Sequence, residues 1–246
     1  MEISIEKLQE LIDGSDNIVF FGGAGVSTES GIKDFRSVDG LYHMKFKYPP
    51  ETMLSHSFYV RHKNEFFDFY KDKLLECTCG ENPAKPNAAH LALAKLEEKG
   101  KLKAVITQNI DGLHQAAGSK NVLELHGSVL RNYCEDCGKS FEASYLYKAA
   151  GVPKCDKCGG DIKPDVVLYE EGLDNSIMSR SVQAIQEADM LIIGGTSLVV
   201  YPAAGLIDYY RGNKLVLINF DATARDSMAD YSIHGKIGEI FSQLKI

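Results

Sequence analysis

The sequence predicts an α/β fold, a mostly parallel sheet with helices on both faces and one small inserted module. Three observations carry this. Short apolar runs alternate with segments of helical period along most of the 246 residues, the first run feeds directly into a glycine turn, and four of the six cysteines form two C-x-x-C pairs where the alternation stops. Apolar residues make up 44% and charged residues 25% of the chain, proportions of a soluble globular protein rather than a fibrous, disordered or membrane-spanning one. The net charge of −7 argues against a protein that works by neutralising phosphates, so no nucleic-acid partner is expected and a cationic one is favoured.

Ile3, Ile5, Leu8, Leu11 and Ile12 trace one helix face, which Gly14 and Ser15 end. The run Ile18-Val19-Phe20-Phe21 reads as a buried parallel strand. It leads into Gly22-Gly23-Ala24-Gly25 and a helix-compatible segment from Val26, the opening of a dinucleotide-binding, Rossmann-like unit. After a long variable stretch the alternation resumes: a helix over Ala88 to Lys99, a strand over Leu102 to Thr107, a helical segment from Asp111, and a strand over Val122 to Leu125. From about Ser128 to Pro164 there is little periodicity. Beyond it come a short strand at Val166 to Leu168, a helix from Asn175 to Ala188, a strand over Met190 to Ile193, a helix from Ala203 to Tyr210, and a strand over Leu215 to Ile218. This divides the chain into a Rossmann-like domain of residues 1–35, 75–127 and 165–246, a helical part of the small domain with a cofactor loop at 36–74, and a zinc-ribbon module at 128–164.

Cys134-x-x-Cys137, a gap of 17 residues, then Cys155-x-x-Cys158 is the spacing of a structural tetrahedral zinc. Gly138 and Gly159 follow the second cysteine of each pair, where such a turn needs backbone freedom. Four protein ligands leave no open position, so this metal is expected to hold structure and not to catalyse; paired redox C-x-x-C motifs are the competing reading. Cys77-x-Cys79 offers two ligands without visible partners and reads as incidental thiols.

The glycine turn alone is a weak signal, because Thr28 stands where the usual fingerprint has its third glycine. The run from Gly23 to Arg36, Gly-Ala-Gly-Val-Ser-Thr-Glu-Ser-Gly-Ile-Lys-Asp-Phe-Arg, resembles the sirtuin signature in which a phosphate-cradling turn precedes Asp-Phe-Arg. Thr107-Gln108-Asn109-Ile110-Asp111-Gly112-Leu113-His114 resembles the second signature of that family. His126-Gly127, the two cysteine pairs and Gly195-Thr196-Ser197-Leu198-Val199-Val200-Tyr201-Pro202 follow in family order, so the resemblance spans about residues 18 to 221. Gly22 and Lys33 depart from it, standing where the family usually has threonine and proline.

The resemblance implies a bacterial-type NAD+-dependent protein lysine deacetylase, with NAD+ as co-substrate and structural Zn2+. Nicotinamide is expelled, and the acyl group passes from acyl-lysine to ADP-ribose. It implies cofactor contacts at Gly23, Ala24, Gly25, Thr28, Asp34, Phe35, Arg36, Gln108, Asn109, Ile110, Asp111, His126, Gly195, Thr196, Ser197, Asn219 and Asp221. Within that set Asp111 is expected at the carboxamide, Gln108 at the nicotinamide ribose, and Asn219 and Asp221 at the adenosine ribose. His126 is the expected general base, its ordinary pKa near 6.5 suiting proton abstraction near neutrality. The acyl-lysine peptide is expected as an added strand between Val167 to Glu170 and Gly195 to Val199, with substrate contacts at Phe35, Tyr70, Lys73, Val167, Leu198 and Val199. In the family a Tyr-x-x-Arg pair selects succinyl groups. Tyr70 and Lys73 occupy those places here, and a lysine lacks the bidentate fork that reads a carboxylate, which ranks deacetylation ahead of desuccinylation.

Mono-ADP-ribosyl transfer, a non-catalytic NAD+ sensor and, last, a dehydrogenase are the competing functions. The N-terminus carries acidic residues where a secretory signal has basic ones, and no run approaches the roughly 20 apolar residues of a membrane span. A cytoplasmic protein without a membrane partner is expected. Oligomeric state is left open, with a monomer preferred.

Overall fold

The computed structural model describes residues 1–34, Gly40, 46–223 and 225–246. Among the described residues, nine strands form two sheets. Six are parallel: β1 (Ile18–Gly22), β2 (Leu102–Thr107), β3 (Val122–Glu124), β7 (Met190–Gly194), β8 (Leu215–Asn219) and β9 (Tyr231–His234), in the order β3-β2-β1-β7-β8-β9. The other three, β4 (Gly127–Cys134), β5 (Ser140–Glu142) and β6 (Ile162–Val166), make a small antiparallel sheet in the order β5-β4-β6.

The large sheet explains the unbroken apolar runs. In β1 the side chains alternate between two cores: Ile18 and Phe20 enter one, Val19 and Phe21 the other. A strand covered on both faces has no polar side, so its sequence cannot alternate. The first core is closed by α1 (Ile5–Asp13), α6 (Ala88–Glu98) and α10 (Ile237–Ser242), which present Leu8, Ile12, Leu93, Leu96 and Phe241. Ile185 of α9 (Asn175–Glu187) and the helical turn Ala203–Tyr209 close the second. Ser4 caps α1 and Asp174 caps α9, each accepting backbone N–H groups that the first helical turn leaves unpaired.

A third core belongs to the small lobe. Met53 of α2 (Pro50–Met53), Phe58 and Tyr59 of α3 (His56–Arg61), and Phe66, Phe67, Phe69 and Tyr70 of α4 (Lys63–Tyr70) pack on Val129, Cys134, Cys155 and Ile162. The chain widens into a π turn at Lys71–Leu75, then continues as α5 (Glu76–Cys79). Two helices remain, α7 (Leu113–Ala116) near the large sheet and α8 (Ala143–Lys148) in the lobe. Among the described residues no helix is long and apolar enough to cross a membrane.

Four expected elements differ. The helix expected from Val26 is two 3-10 turns, Ala24–Val26 and Thr28–Ser30, because Gly25 N–H is drawn to the Gly195 carbonyl at 2.8 Å and Gly31, at φ 87°, ends the segment. The helix expected from Asp111 starts at Leu113. Asp111 Oδ1 accepts Leu113 N–H at 2.9 Å and Gly112 is left-handed at φ 75°, an Asx-type turn that delays the first helical residue. The helix expected from Ala203 to Tyr210 is a 3-10 stretch ending at Tyr209. The strand expected at Val166 to Leu168 ends at Val166 instead and pairs with β4 in the small sheet, away from the parallel one.

Candidate active site

Four strand ends converge on one place. The carboxyl ends of β2, β1, β7 and β8 are neighbours in the sheet, and the segments leaving them wall a cavity of about 1010 Å³ that extends to the small lobe. Ligands of open parallel sheets bind at such strand ends, where backbone N–H groups and loop side chains converge.

Glycines permit the packing at this point. Gly25 lies so close to Gly195 that a Cβ on it would stand 2.8 Å from Gly195 Cα, and a Cβ on Gly195, at φ 58°, would stand 2.3 Å from Val26 N. Backbone faces backbone, so neither position admits a side chain. Gly23 N–H reaches the Gly194 carbonyl at 3.2 Å, and Gln108 N–H the Gly22 carbonyl at 3.0 Å. Asn219 spends both ends of its amide on Thr196: Oδ1 accepts its N–H at 2.9 Å and Nδ2 donates to its carbonyl at 3.0 Å. Thr196 Oγ1 in turn accepts from Gln108 Nε2 at 3.1 Å.

Deeper in the cleft, a buried chain of polar groups links the turn to the Gln108–Asp111 segment. Asn109 Nδ2 donates to Ser27 Oγ at 3.0 Å, and Ser27 Oγ donates to Asp111 Oδ2 at 2.7 Å. Ser27 was missed from the sequence as a site residue. Only its position after the glycine turn hinted at a role; its partners, more than 80 residues away, come from the fold.

His126 is the second residue after β3 and directly precedes β4. Its Nδ1 is 2.9 Å from the Gln108 carbonyl, which can only accept, so Nδ1 carries the proton and Nε2 is left as the basic nitrogen. Burial lowers its pKa below the usual 6.5, against the opposing pull of that carbonyl, so the neutral ring prevails near neutrality. Gly127, at φ 74°, starts the small sheet opposite Val166; a Cβ there would stand 2.0 Å from the Asp165 carbonyl oxygen. The His126 carbonyl accepts Val167 N–H at 3.0 Å, tying the two lobes at this residue.

Gly23, Ala24, Gly25, Asp34, Gln108, Asn109, Ile110, Asp111, His126, Gly195, Thr196, Ser197, Asn219 and Asp221 all line the cavity, as do Lys73 and Val167. Thr28 does not. It is exposed, and its hydroxyl donates to the Gly25 carbonyl at 3.0 Å within its own turn. Leu198 is buried at φ 54° and Val199 is 56% exposed; neither is on the cavity wall. Tyr70 is fully buried in the lobe core, its ring stacked on Phe66 at 5.6 Å, and does not reach the wall. Phe35 and Arg36 lie outside the described residues. Cys77 reaches the wall, but its thiol donates to the Leu74 carbonyl and burial raises its pKa, which keeps it protonated and unreactive.

Beneath the glycine turn, the rings of His90 and His114 meet with centroids 4.7 Å apart, tilted by 56°. His90 Nε2 and both ring nitrogens of His114 meet no hydrogen-bond partner among the described residues. Burial lowers His90 to about 4, opposed by Asp111, and burial with the neighbouring His90 lowers His114 to about 3. In the unfolded chain these rings bind protons near 6.5, so stability falls as pH drops from 6.5 toward those two values. We expect His114→Phe to flatten the loss of melting temperature between about pH 6.5 and 4.5; an acid slope equal to that of the parent protein would contradict this.

The four zinc-spaced cysteines converge. Their sulfurs all lie within 4.8 Å of one another, with Cys134 and Cys158 at 3.4 Å and Cys137 and Cys155 at 3.7 Å. Tetrahedral Zn–S bonds of about 2.3 Å put sulfurs about 3.8 Å apart, so the cluster fits zinc.

The Sir2 family model matches residues 23–202. The NAD-dependent protein deacetylase of Clostridium acetobutylicum is 64% identical, covering 96% of each chain, and that of Cutibacterium acnes 52%, covering 98% and 97%. Among solved structures, a Sir2 protein bound to an acetylated peptide superposes with a TM-score of 0.85 at 37% identity over 98% and 97% of the chains. A Sir2 complex with a p53 peptide and NAD+ gives 0.85 at 38% over the same shares.

Proposed function

The chain belongs to the Sir2 family, and from that premise we infer that it is an NAD+-dependent protein lysine deacetylase whose proton acceptor is His126. One observation carries the assignment of the base. The Gln108 carbonyl holds the Nδ1 proton of His126, so Nε2 is the nitrogen with a lone pair to offer, on the wall of the same cavity as the glycine turn.

NAD+ would supply a labile glycosidic bond whose electron pair leaves with nicotinamide; one water is consumed, the acyl group ends on an ADP-ribose hydroxyl, and the lysine amine is freed. The residues of the chain divide the remaining work. The N–H groups of Gly23, Gly25 and Thr196 are engaged within the protein, so those of Ala24 and Ser197, both on the cavity wall, are the ones offered to a pyrophosphate. Asp111, fixed by Ser27 and by Leu113 N–H, holds a carboxylate edge toward the carboxamide. His126 Nε2 takes the proton of a ribose hydroxyl, making that oxygen the nucleophile toward the acyl carbon. The peptide lies between Val167–Glu170 and Gly195–Val199. This is supported by Val167–Glu170 and Gly195–Ser197 lining one cleft.

A neutral acyl group is favoured over an acidic one. Tyr70 is buried away from the cleft, and Lys73 Nζ is already paired with Asp72 at 2.7 Å. The chain acts in the cytoplasm, where thiolates stay reduced for metal.

Incubation with NAD+ and peptides bearing acetyl- or succinyl-lysine tests this. We expect nicotinamide release and free lysine with the acetyl peptide and little with the succinyl one; nicotinamide release with ADP-ribose left on the peptide would turn the reading to ADP-ribosyl transfer. The pH profile is a second check. Because the His126 pKa is lowered, the acid limb of kcat/KM should have its midpoint below pH 6.5. An acid limb with its midpoint above 6.5 would contradict the environment described for His126.

A further inference from the structure

Asn87 precedes α6 and belongs to none of the groups assigned to the chemistry, yet its amide bonds in two directions at once. Its Oδ1 accepts Ala89 N–H at 3.0 Å, capping the helix. Its Nδ2 donates to the Val26 carbonyl at 2.7 Å and to Ser30 Oγ at 3.0 Å, across a sequence separation of about sixty residues. Its backbone N–H donates to His90 Nδ1 at 3.3 Å, so His90 completes a reciprocal cap. The orientation of the amide is fixed by these partners, since a carbonyl can only accept and an N–H only donate.

The segment that Nδ2 grips is the one that shapes the cleft. Val26 follows Gly25, and Ser27, the next residue, holds Asn109 and Asp111 through its hydroxyl. Fixing the Val26 carbonyl fixes the peptide plane from which Ser27 extends, and the Ser30 bond holds the far end of the second 3-10 turn. Without these donors the Val26 carbonyl and the Ser30 hydroxyl lose their tie to α6, and the turn is left with its own short-range bonds, the Gly23–Gly194 and Gly25–Gly195 contacts and the bonds of the Ser27 hydroxyl, whose aim the Val26 peptide sets.

We infer that Asn87 is a positioning residue for cofactor recognition: its side-chain NH2 holds the glycine turn in the shape that receives the dinucleotide, as a function separable from its capping of α6. This rests on the NAD+ reading above. The separation makes it testable. Asn87→Asp keeps the acceptor for Ala89 N–H and adds a charge favoured at a helix N-terminus, but turns an oxygen toward the Val26 carbonyl in place of a donor. Asn87→Ala removes both halves.

With purified variants, we expect Asn87→Asp to melt within a few degrees of the parent. Its KM for NAD+ and its Kd for ADP-ribose should both rise about tenfold, while the KM for acetyl-peptide stays unchanged. Asn87→Ala should show the same cofactor defect with a lower melting temperature. Parent-like ADP-ribose binding by Asn87→Asp would overturn the inference, as would a variant in which melting temperature and both KM values deteriorate together, the mark of a merely structural role. Failure of the parent protein itself to bind ADP-ribose would overturn the NAD+ reading and this inference with it, so the two failures are told apart by the parent control.

Discussion

His126→Ala should lower deacetylation by about 10²–10⁴-fold, the usual contribution of a positioned general base, while leaving the fold in place. Among the described residues the ring makes one hydrogen bond, to the Gln108 carbonyl, on the wall of an open cleft. Its loss costs about 1 kcal/mol of stability at most, because water can reach the freed carbonyl. Three measurements separate the effects: free-lysine product by mass spectrometry, the melting temperature, and ADP-ribose affinity. The last two should change little. Undiminished turnover in the variant would remove His126 from the role of base, and collapse of the melting temperature would mean that the residue is structural.

Removal of the metal should have a larger effect on the fold of the small lobe. Structural zinc sites carry apparent binding energies of about 10–16 kcal/mol, as large as the whole stability of a typical domain. Cys134 and Cys155 are 3% exposed and belong to the aromatic core that also holds Phe58, Phe66 and Phe67. Cys134→Ser or exhaustive chelation is therefore expected to release one zinc ion per chain and abolish turnover. The lobe should lose its fixed packing, read as a loss of near-ultraviolet dichroism from its tyrosines and phenylalanines. Far-ultraviolet dichroism from the large sheet should survive in part, since its two cores contain no cysteine. A chelated protein with full turnover and an unchanged spectrum would show that the cluster holds no structural metal.

How much of this was legible beforehand follows from where the determining contacts lie. Strands β1, β7 and β8 declared themselves because burial on both faces writes an uninterrupted apolar run, which in β2 only the exposed Lys103 breaks. Strand β9 did not: Tyr231 and His234 leave it half polar at the edge of the sheet, and its pairing with β8 is not a local property. The cysteine spacing announced a tetrahedral cluster, and the four sulfurs meet. The glycine turn was legible as a turn but not as two 3-10 segments, because its shape depends on Gly195 and Asn87, far along the chain.

The Tyr70 and Lys73 pair shows the opposite limit. Three residues apart on an α-helix they would share a face. The π turn over Lys71–Leu75 breaks that geometry, sending Tyr70 into the aromatic core and Lys73 to the cleft. Spacing alone carried no sign of the extra residue in the turn.

The junction at His126 has a last consequence. Strand β3 ends at Glu124 and β4 begins at Gly127, so only Leu125 and the imidazole-bearing residue bridge the two lobes here. There is no slack to absorb a rotation: whatever tilts the cysteine-bound half drags the base with it. Grip on the modified side chain and aim of the proton acceptor are thus adjusted by a single rigid-body movement.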